Sequence, residues 1–392
     1  MGKVSDILSS NQQVQKLYQC LESGLDSSEL PPELRIFIAQ QRELRAGAME
    51  KIPAWADAGC LFTRRALEQC TSAQVAEFKA SLFQGRTCID LSGGLGVDAV
   101  ALAKSFDTVV SIDPDEDLHT LFHHNMSRLH VQGVQRLDSD AETFLKKLTN
   151  PVDLIYLDPD RREKMGDKRL LGYRNYRPDP LALFLAYGSM AAVWLIKLSP
   201  LDDIQAVLAQ WPGIKHIRIL SRHGEVKEML LELVPGYAGV VEITAHLLDD
   251  GREWRYQRSM AVGQMLMELA APLDYLFEPH PALIKSGWMK YSPHQLRPLN
   301  VSGTLWTCER KTELPGRWVR LQGVLEQQSL RSLAKILKER GVQAAVVKAR
   351  DFNLGSEEAR KILGLKESDH YAVYLTGNGK RKLFLWGVVE RP

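Results

Sequence analysis

Apolar residues recur at helical spacing early in the chain and gather into short runs later. Val14, Leu17, Tyr18 and Leu21 share one face, as do Leu34, Phe37 and Ile38, so residues 1–80 are expected to be helical. Pro31 and Pro32 mark a break before the second helix. A third helix is expected from Ser72 to Leu82, capped by Thr71 or Ser72. From residue 86 the rhythm changes. Thr87–Leu91, Thr108–Ile112, Gln135–Leu137, Leu154–Leu157 and Val193–Leu198 read as buried strands. Helical stretches follow most of them, at Val97–Lys104, Asp117–Leu129, Ala141–Lys147 and Leu201–Gln210. This alternation predicts an α/β fold, a parallel sheet with helices on both faces. Ile217–Leu220 and Lys227–Val234 read as the last two strands, the final one antiparallel at or near the sheet edge. After residue 246, Pro272, Pro279, Pro281, Pro293 and Pro298 punctuate a stretch rich in Trp, Tyr and His. A last module begins near Gly316: strand Trp318–Leu321, helix Ser329–Arg340, strand Ala344–Lys348, helix Ser356–Gly364, then strands Tyr371–Thr376 and Lys382–Val389 around Gly377-Asn378-Gly379.

Composition narrows the class without naming the chemistry. The 392 residues are 45% hydrophobic and 25% charged, which suits a globular protein of two to four domains. We expect no transmembrane helix, since no run of 18 apolar residues occurs. The start, MGKVSDILSSNQQ, lacks a signal-peptide core, and Asp6 spoils a myristoylation match at Gly2, so a cytoplasmic location is expected. Cys20, Cys60, Cys70, Cys88 and Cys308 are scattered, which supports neither a metal site nor a disulfide framework. A net charge of +2 does not by itself decide for or against a nucleic-acid partner.

The first strand runs into Asp90-Leu-Ser92-Gly93-Gly94-Leu-Gly96-Val-Asp98, and a helix follows. Glycines let such a turn approach a ligand closely. The dinucleotide pattern G-x-G-x-x-G is absent. An acid separated by two residues from the glycines is instead the methyltransferase variant, in which Asp90 would hold the ammonium end of S-adenosylmethionine (SAM). The second strand ends at Asp113, placed to accept both ribose hydroxyls. The third ends in Asp138-Ser-Asp140-Ala141, where Asp140 and Ala141 would meet adenine. Singly these acids read as a strand-end cap, a turn acid and a helix N-cap. Three in order, at successive strand ends, point to one cofactor crevice.

The fourth strand releases Asp158-Pro159-Asp160-Arg161-Arg162 at the same edge. Asp158 could accept a hydrogen bond from a methyl acceptor, with Asp160, Arg161 and Lys197 as further catalytic candidates. Arg161 and Arg162 could hold a phosphate. Tyr173 and Arg174 lie in a basic, aromatic stretch suited to nucleic acid, or to a plain solvated loop. Phe62–Gln69 could fold over the cofactor through Thr63 or Gln69, or simply pack.

Residues from about Cys60 to Glu232 resemble a small bacterial family of class I SAM-dependent methyltransferases related to RNA methyltransferases. Glu68-Gln-Cys-Thr-Ser72, Asp90–Asp98, Asp158–Arg162 and Ile196-Lys197-Leu-Ser199-Pro200 carry the resemblance. The cap-guanine exocyclic-amine methyltransferases are more distant relatives. The resemblance implies a Rossmann-like SAM-binding sheet, an RNA substrate, a ferredoxin-like insert over 274–310 and a THUMP-like C-terminal module. It suggests the division 1–80 (helical), 81–245 (methyltransferase), 246–315 (linker and insert) and 316–392 (THUMP-like). A THUMP-like module would hold RNA phosphates with Lys335, Lys338, Arg340, Lys348, Arg350, Arg360, Lys361, Lys380, Arg381 and Lys382; a charged solvated face is the alternative.

Two departures matter. Amine methyltransferases place an aromatic ring after Asp/Asn-Pro-Pro, where this chain has Asp160-Arg161. Asp-Pro-x-Arg is closer to uridine carbon-5 enzymes, but no thiol follows the fifth strand, so covalent base activation is not expected. An exocyclic base amine is the preferred acceptor. One alternative is a ribose 2′-hydroxyl, with Asp158, Lys197 and Glu228 joined by Lys79 or Arg64. Others are a small-molecule acceptor and an inactive RNA-binding protein. No metal is required.

Overall fold

The computed structural model describes residues 7–8, 11–23, 28, 30–161, 176–258, 268–291, 295–377 and 382–390. Two compact units emerge, Met1–Ile217 with Glu228–Gly239, and Arg218–Lys227 with Val240–Pro392.

The first unit opens with helices α1 (Asn11–Ser23), α2 (Pro32–Lys51), α3 (Pro53–Asp57), α4 (Arg64–Gln69) and α5 (Ala73–Ser81). Pro32 suits the first turn of α2, where its missing N–H costs nothing. Leu17, Leu34, Phe37 and Ile38 are buried together with Leu61 and Leu121. Strands and helices then alternate: β1 (Gly85–Asp90), α6 (Val97–Leu102), β2 (Phe106–Asp113), α7 (Glu116–Leu129), β3 (Val134–Asp138), α8 (Ala141–Lys147) and β4 (Val152–Leu157). Two-residue strands β5 (Asp160–Arg161) and β6 (Tyr176–Arg177) pair with each other. There follow α9 (Pro180–Tyr187), β7 (Ala191–Leu198), α10 (Ile204–Gln210), β8 (Ile214–Arg222) and β9 (Glu225–Leu233). Helix α10 starts at Ile204, three residues later than expected, because the Asp203 carboxylate accepts from Gln205 N–H and caps it there.

Parallel pairs link β3, β2, β1, β4 and β7 in that order, so the order reverses between β1 and β4. A ligand crevice is expected beyond the carboxyl ends of those two strands. Strand β9 runs antiparallel beside β7, as its spacing suggested, but lies between β7 and β8 and not at an edge. The reason lies in its side chains: Glu228–Leu233 are buried without interruption, which a one-sided edge strand would not require.

In the second unit β10 (Val241–Leu247) and β11 (Arg252–Arg258) form an antiparallel hairpin. There follow β12 (Tyr275–Pro279), α11 (Pro281–Ser286), α12 (Trp288–Tyr291), β13 (Arg297–Pro298), β14 (Trp306–Cys308), β15 (Gly316–Glu326), α13 (Leu330–Glu339), β16 (Val346–Arg350), α14 (Ser356–Leu363), β17 (Tyr371–Gly377) and β18 (Lys382–Glu390). One seven-stranded sheet holds them in the order β13-β14-β12-β15-β18-β17-β16. Leu333 and Leu337 of α13 and Ala359 and Leu363 of α14 pack with Val347, Val373, Leu375, Phe384 and Trp386 of this sheet. Each Leu, Val or Phe so buried contributes on the order of 2 kcal/mol. No helix among the described residues is long and apolar enough to cross a membrane.

Candidate active site

The turn after β1 is built around Asp90, which is 1% exposed. Its carboxylate accepts from Ser92 N–H at 3.0 Å, Ser92 Oγ at 3.2 Å and Ser111 Oγ at 3.4 Å. Burial pushes its pKa up to about 7, helped by Asp98 and opposed by the Ser92 bonds and Arg136. Gly96 closes the turn at φ 98°, a left-handed conformation that favours glycine. Asp113, at the end of β2, accepts Gly94 N–H at 2.7 Å and Asp115 N–H at 2.9 Å. A carboxylate has about four acceptor positions, so capacity for a diol remains. Asp140 caps α8, accepting Thr143 N–H at 2.8 Å and Thr143 Oγ1–H at 2.7 Å, and these bonds hold its pKa below the usual carboxylate range. The structure thus gathers Asp90, Ser92, Gly93, Gly94, Gly96 and Asp113 at one turn. Asp140 and Ala141 stand at the next strand end, engaged in their own helix.

Asp158 leaves β4 with its backbone N–H donated to Ser92 Oγ at 2.7 Å. Lys197, on β7, donates to its carboxylate at 2.9 Å. Both side chains keep about a quarter of their surface exposed, 21% for Asp158 and 26% for Lys197. Burial opposes the charge on Lys197, but Asp158 and Glu228 outweigh it and hold the ammonium above the usual lysine range. The end of β7 is fixed in turn: Ser199 N–H donates to Tyr176 Oη and to Asp202, and Tyr176 donates to Asp202.

Beneath this pair lies a buried ionic group. Lys79 of α5 meets Asp98 at 2.6 Å and Glu228 at 3.4 Å, and donates to Tyr156 Oη at 2.7 Å and Thr71 Oγ1 at 3.1 Å. Burial opposes its charge, yet Asp98, Glu228 and Asp158 keep it protonated well above the usual range. Burial raises the pKa of Glu228, while Lys79 and Lys197 pull it down. Lys79 and Glu228 are candidates from the sequence; Asp98 and Tyr156 join them only in the structure, and Thr71, a candidate cap for α5, bonds Asp98 and Lys79 while Ser72 holds the N-cap position. Arg64 pairs instead with Glu43 at the surface.

Asp160 is exposed and meets Arg65 of α4 at 3.1 Å. Thr63 caps α4 and Gln69 accepts from Arg65, so both are engaged within that segment. Arg161 belongs to β5 by its backbone pairing with Tyr176. Arg162, Tyr173 and Arg174 lie outside the described residues, as do Lys380 and Arg381. In the second unit, Arg350 pairs with Glu278, Arg360 and Lys361 with Glu357, and Lys335 with Glu339. Among the described residues no group of three or more acidic, His or Cys side chains could hold a metal.

No family model matches the chain. It is 26% identical over 330 residues to uncharacterized S-adenosylmethionine-dependent methyltransferases from two strains of Mycobacterium tuberculosis, covering 82% of this chain and 86% of each relative. A proposed methyltransferase of Porphyromonas gingivalis, known from a crystal structure, matches over 100% of both chains with 25% identity and a TM-score of 0.81.

Proposed function

We propose that this chain, by fold a class I SAM-dependent methyltransferase, transfers the cofactor's methyl group to an exocyclic amine of an RNA base. The donor set suits that cofactor. Asp90 is a buried carboxylate short of positive charge, and an ammonium beside it supplies the missing partner. Asp113 keeps acceptor capacity for a ribose diol, and Asp140 with Ala141 is assigned to adenine. When bound, SAM supplies an electrophilic methyl on a sulfonium, so the protein's task is positioning.

The observation that carries the reading is the Ser92 hydroxyl. It donates to Asp90 and accepts from the Asp158 backbone, which makes the cofactor turn and the acceptor carboxylate one rigid piece. Asp158 accepts an amine N–H, aims the nitrogen lone pair and takes up the proton released on transfer. Lys197 fixes the carboxylate's orientation. Asp160, Arg161, Arg162, Tyr173 and Arg174 are assigned to the approaching RNA, where an Arg plane can stack on a base in place of the missing ring.

Incubation with labelled SAM and total RNA, then digestion to nucleosides, tests this. An N-methylated base is expected. Asp158→Ala should abolish labelling and spare SAM binding; unchanged labelling would remove Asp158 from the mechanism. A ribose 2′-hydroxyl acceptor is the second reading, favoured by the charge coupling among Lys79, Asp158, Lys197 and Glu228. Both lysines are held protonated, which weakens either as a base, and recovery of a 2′-O-methyl nucleoside would decide for it.

A further inference from the structure

We propose that Arg136, on β3, is a positioning residue that sets the cofactor turn and ties together the two acids that grip SAM. The inference rests on the SAM-binding reading above. A guanidinium with 0% of its side chain exposed is costly on the last strand of a sheet, so its contacts must repay the desolvation. Its hydrogen bonds and ion pair all lie on the cofactor turn or on β2 beside it. Nη1 donates to Ser111 Oγ at 2.9 Å, and Ser111 in turn donates to Asp90. Nη2 donates to the Gly94 carbonyl at 2.7 Å and stands 3.6 Å from the Asp113 carboxylate. The Phe122 ring packs against the group, 4.9 Å from its centroid.

The same side chain accounts for a glycine. Gly93 is not among the left-handed glycines, so its backbone does not require that residue. A Cβ there would stand 2.1 Å from Arg136 Nη1 and 2.5 Å from Ser111 Oγ. Gly93 is therefore glycine for space, and Arg136 with Ser111 fills that space. Gly94 presents both its carbonyl to Arg136 and its N–H to Asp113, so arginine, turn and ribose acid form a closed loop of contacts. Asp90 and Asp113 share a single cation in this arrangement. The bound cofactor's ammonium would then meet a turn that is already oriented and still net negative.

Arg136→Gln keeps hydrogen-bonding capacity but loses the charge and the fork. Loss of a charge-assisted contact predicts roughly 10- to 100-fold weaker SAM binding by calorimetry. In the RNA-labelling assay, KM for SAM should rise while kcat at saturating SAM stays within about twofold. S-adenosylhomocysteine should weaken by the same factor, since Arg136 acts on parts the two ligands share. Arg136→Lys should recover part of the affinity, because charge returns without the bidentate reach. Ser111→Ala, which removes the Nη1 acceptor and the link to Asp90 but keeps the arginine and its contacts to Gly94 and Asp113, provides a milder variant should the glutamine form not fold; a several-fold loss is expected. A folded Arg136→Gln that binds like the parent, or a Ser111→Ala that does so, would overturn the inference. So would a fall in kcat at unchanged KM. A parent protein that gives no heat with SAM would remove the functional reading itself; a parent that binds while the variants bind equally removes only the role of Arg136.

Discussion

Asp90→Asn in the cofactor-free protein isolates the cost of an incompletely compensated carboxylate. The pKa of Asp90 is raised from 3.8 to about 7, with burial the largest cause. A carboxyl group with a raised pKa binds a proton in the native state that it releases in the unfolded state. Its contribution to stability is therefore fullest below pH 4 and declines as pH rises towards 7, with no further loss above that. The span is roughly three pH units, or about 4 kcal/mol at about 1.4 kcal/mol per unit. Asparagine has nearly the same shape and no charge to desolvate. The stability difference, parent minus variant, should fall by about 3 kcal/mol between pH 5 and pH 8. In melting temperature this is a relative change of roughly 6–12 °C for a domain of this size. Thermal melts of both proteins at half-unit intervals of pH provide the measurement. A difference that stays flat across the range would show that Asp90 is ionised throughout, and the argument for its waiting on a cationic ligand would fail.

Two further substitutions probe the frame of the site. Lys79→Met leaves Asp98 and Glu228 buried without their cation, which should cost about 3–5 kcal/mol in denaturant unfolding; a loss below about 1 kcal/mol would mean the network relaxes or hydrates freely. Gly96→Ala forces a side chain into the left-handed region and places a Cβ 2.7 Å from the Phe122 ring. A loss of about 3 kcal/mol is expected, with weaker SAM binding; an unchanged melting temperature would refute the strain.

The sheet was legible because its strands are nearly continuous apolar runs. Their first two residues were missed, Gly85 and Arg86 in β1 and Phe106 and Asp107 in β2, since pairing and not a run of apolar side chains extends those strands. The place of β9 inside the sheet was not legible, because neighbours between distant segments leave no local trace. At the site, the glycines and strand-end acids announced themselves by position. Lys79 carried a usable signal: it sits at helical spacing with Val75, Ala76 and Ala80, all buried. Arg136 carried none. Gln135–Leu137 read as a buried strand, but Gln135 and Leu137 are exposed and it is Arg136 between them that is enclosed, by the turn folding back onto β2 and β3.

The seven-stranded sheet constrains how this protein can be cut for study. Strand β15 hydrogen-bonds β12 on one side and β18 on the other, and Trp318 stacks on Phe277 at 4.2 Å between ring centres. A fragment starting at residue 316 would shed β12, leave an eleven-residue strand with a raw border, and wet Trp318 and Val319, now 3% and 0% exposed. RNA retention lost from such a fragment would report a damaged scaffold, whatever the native surface binds.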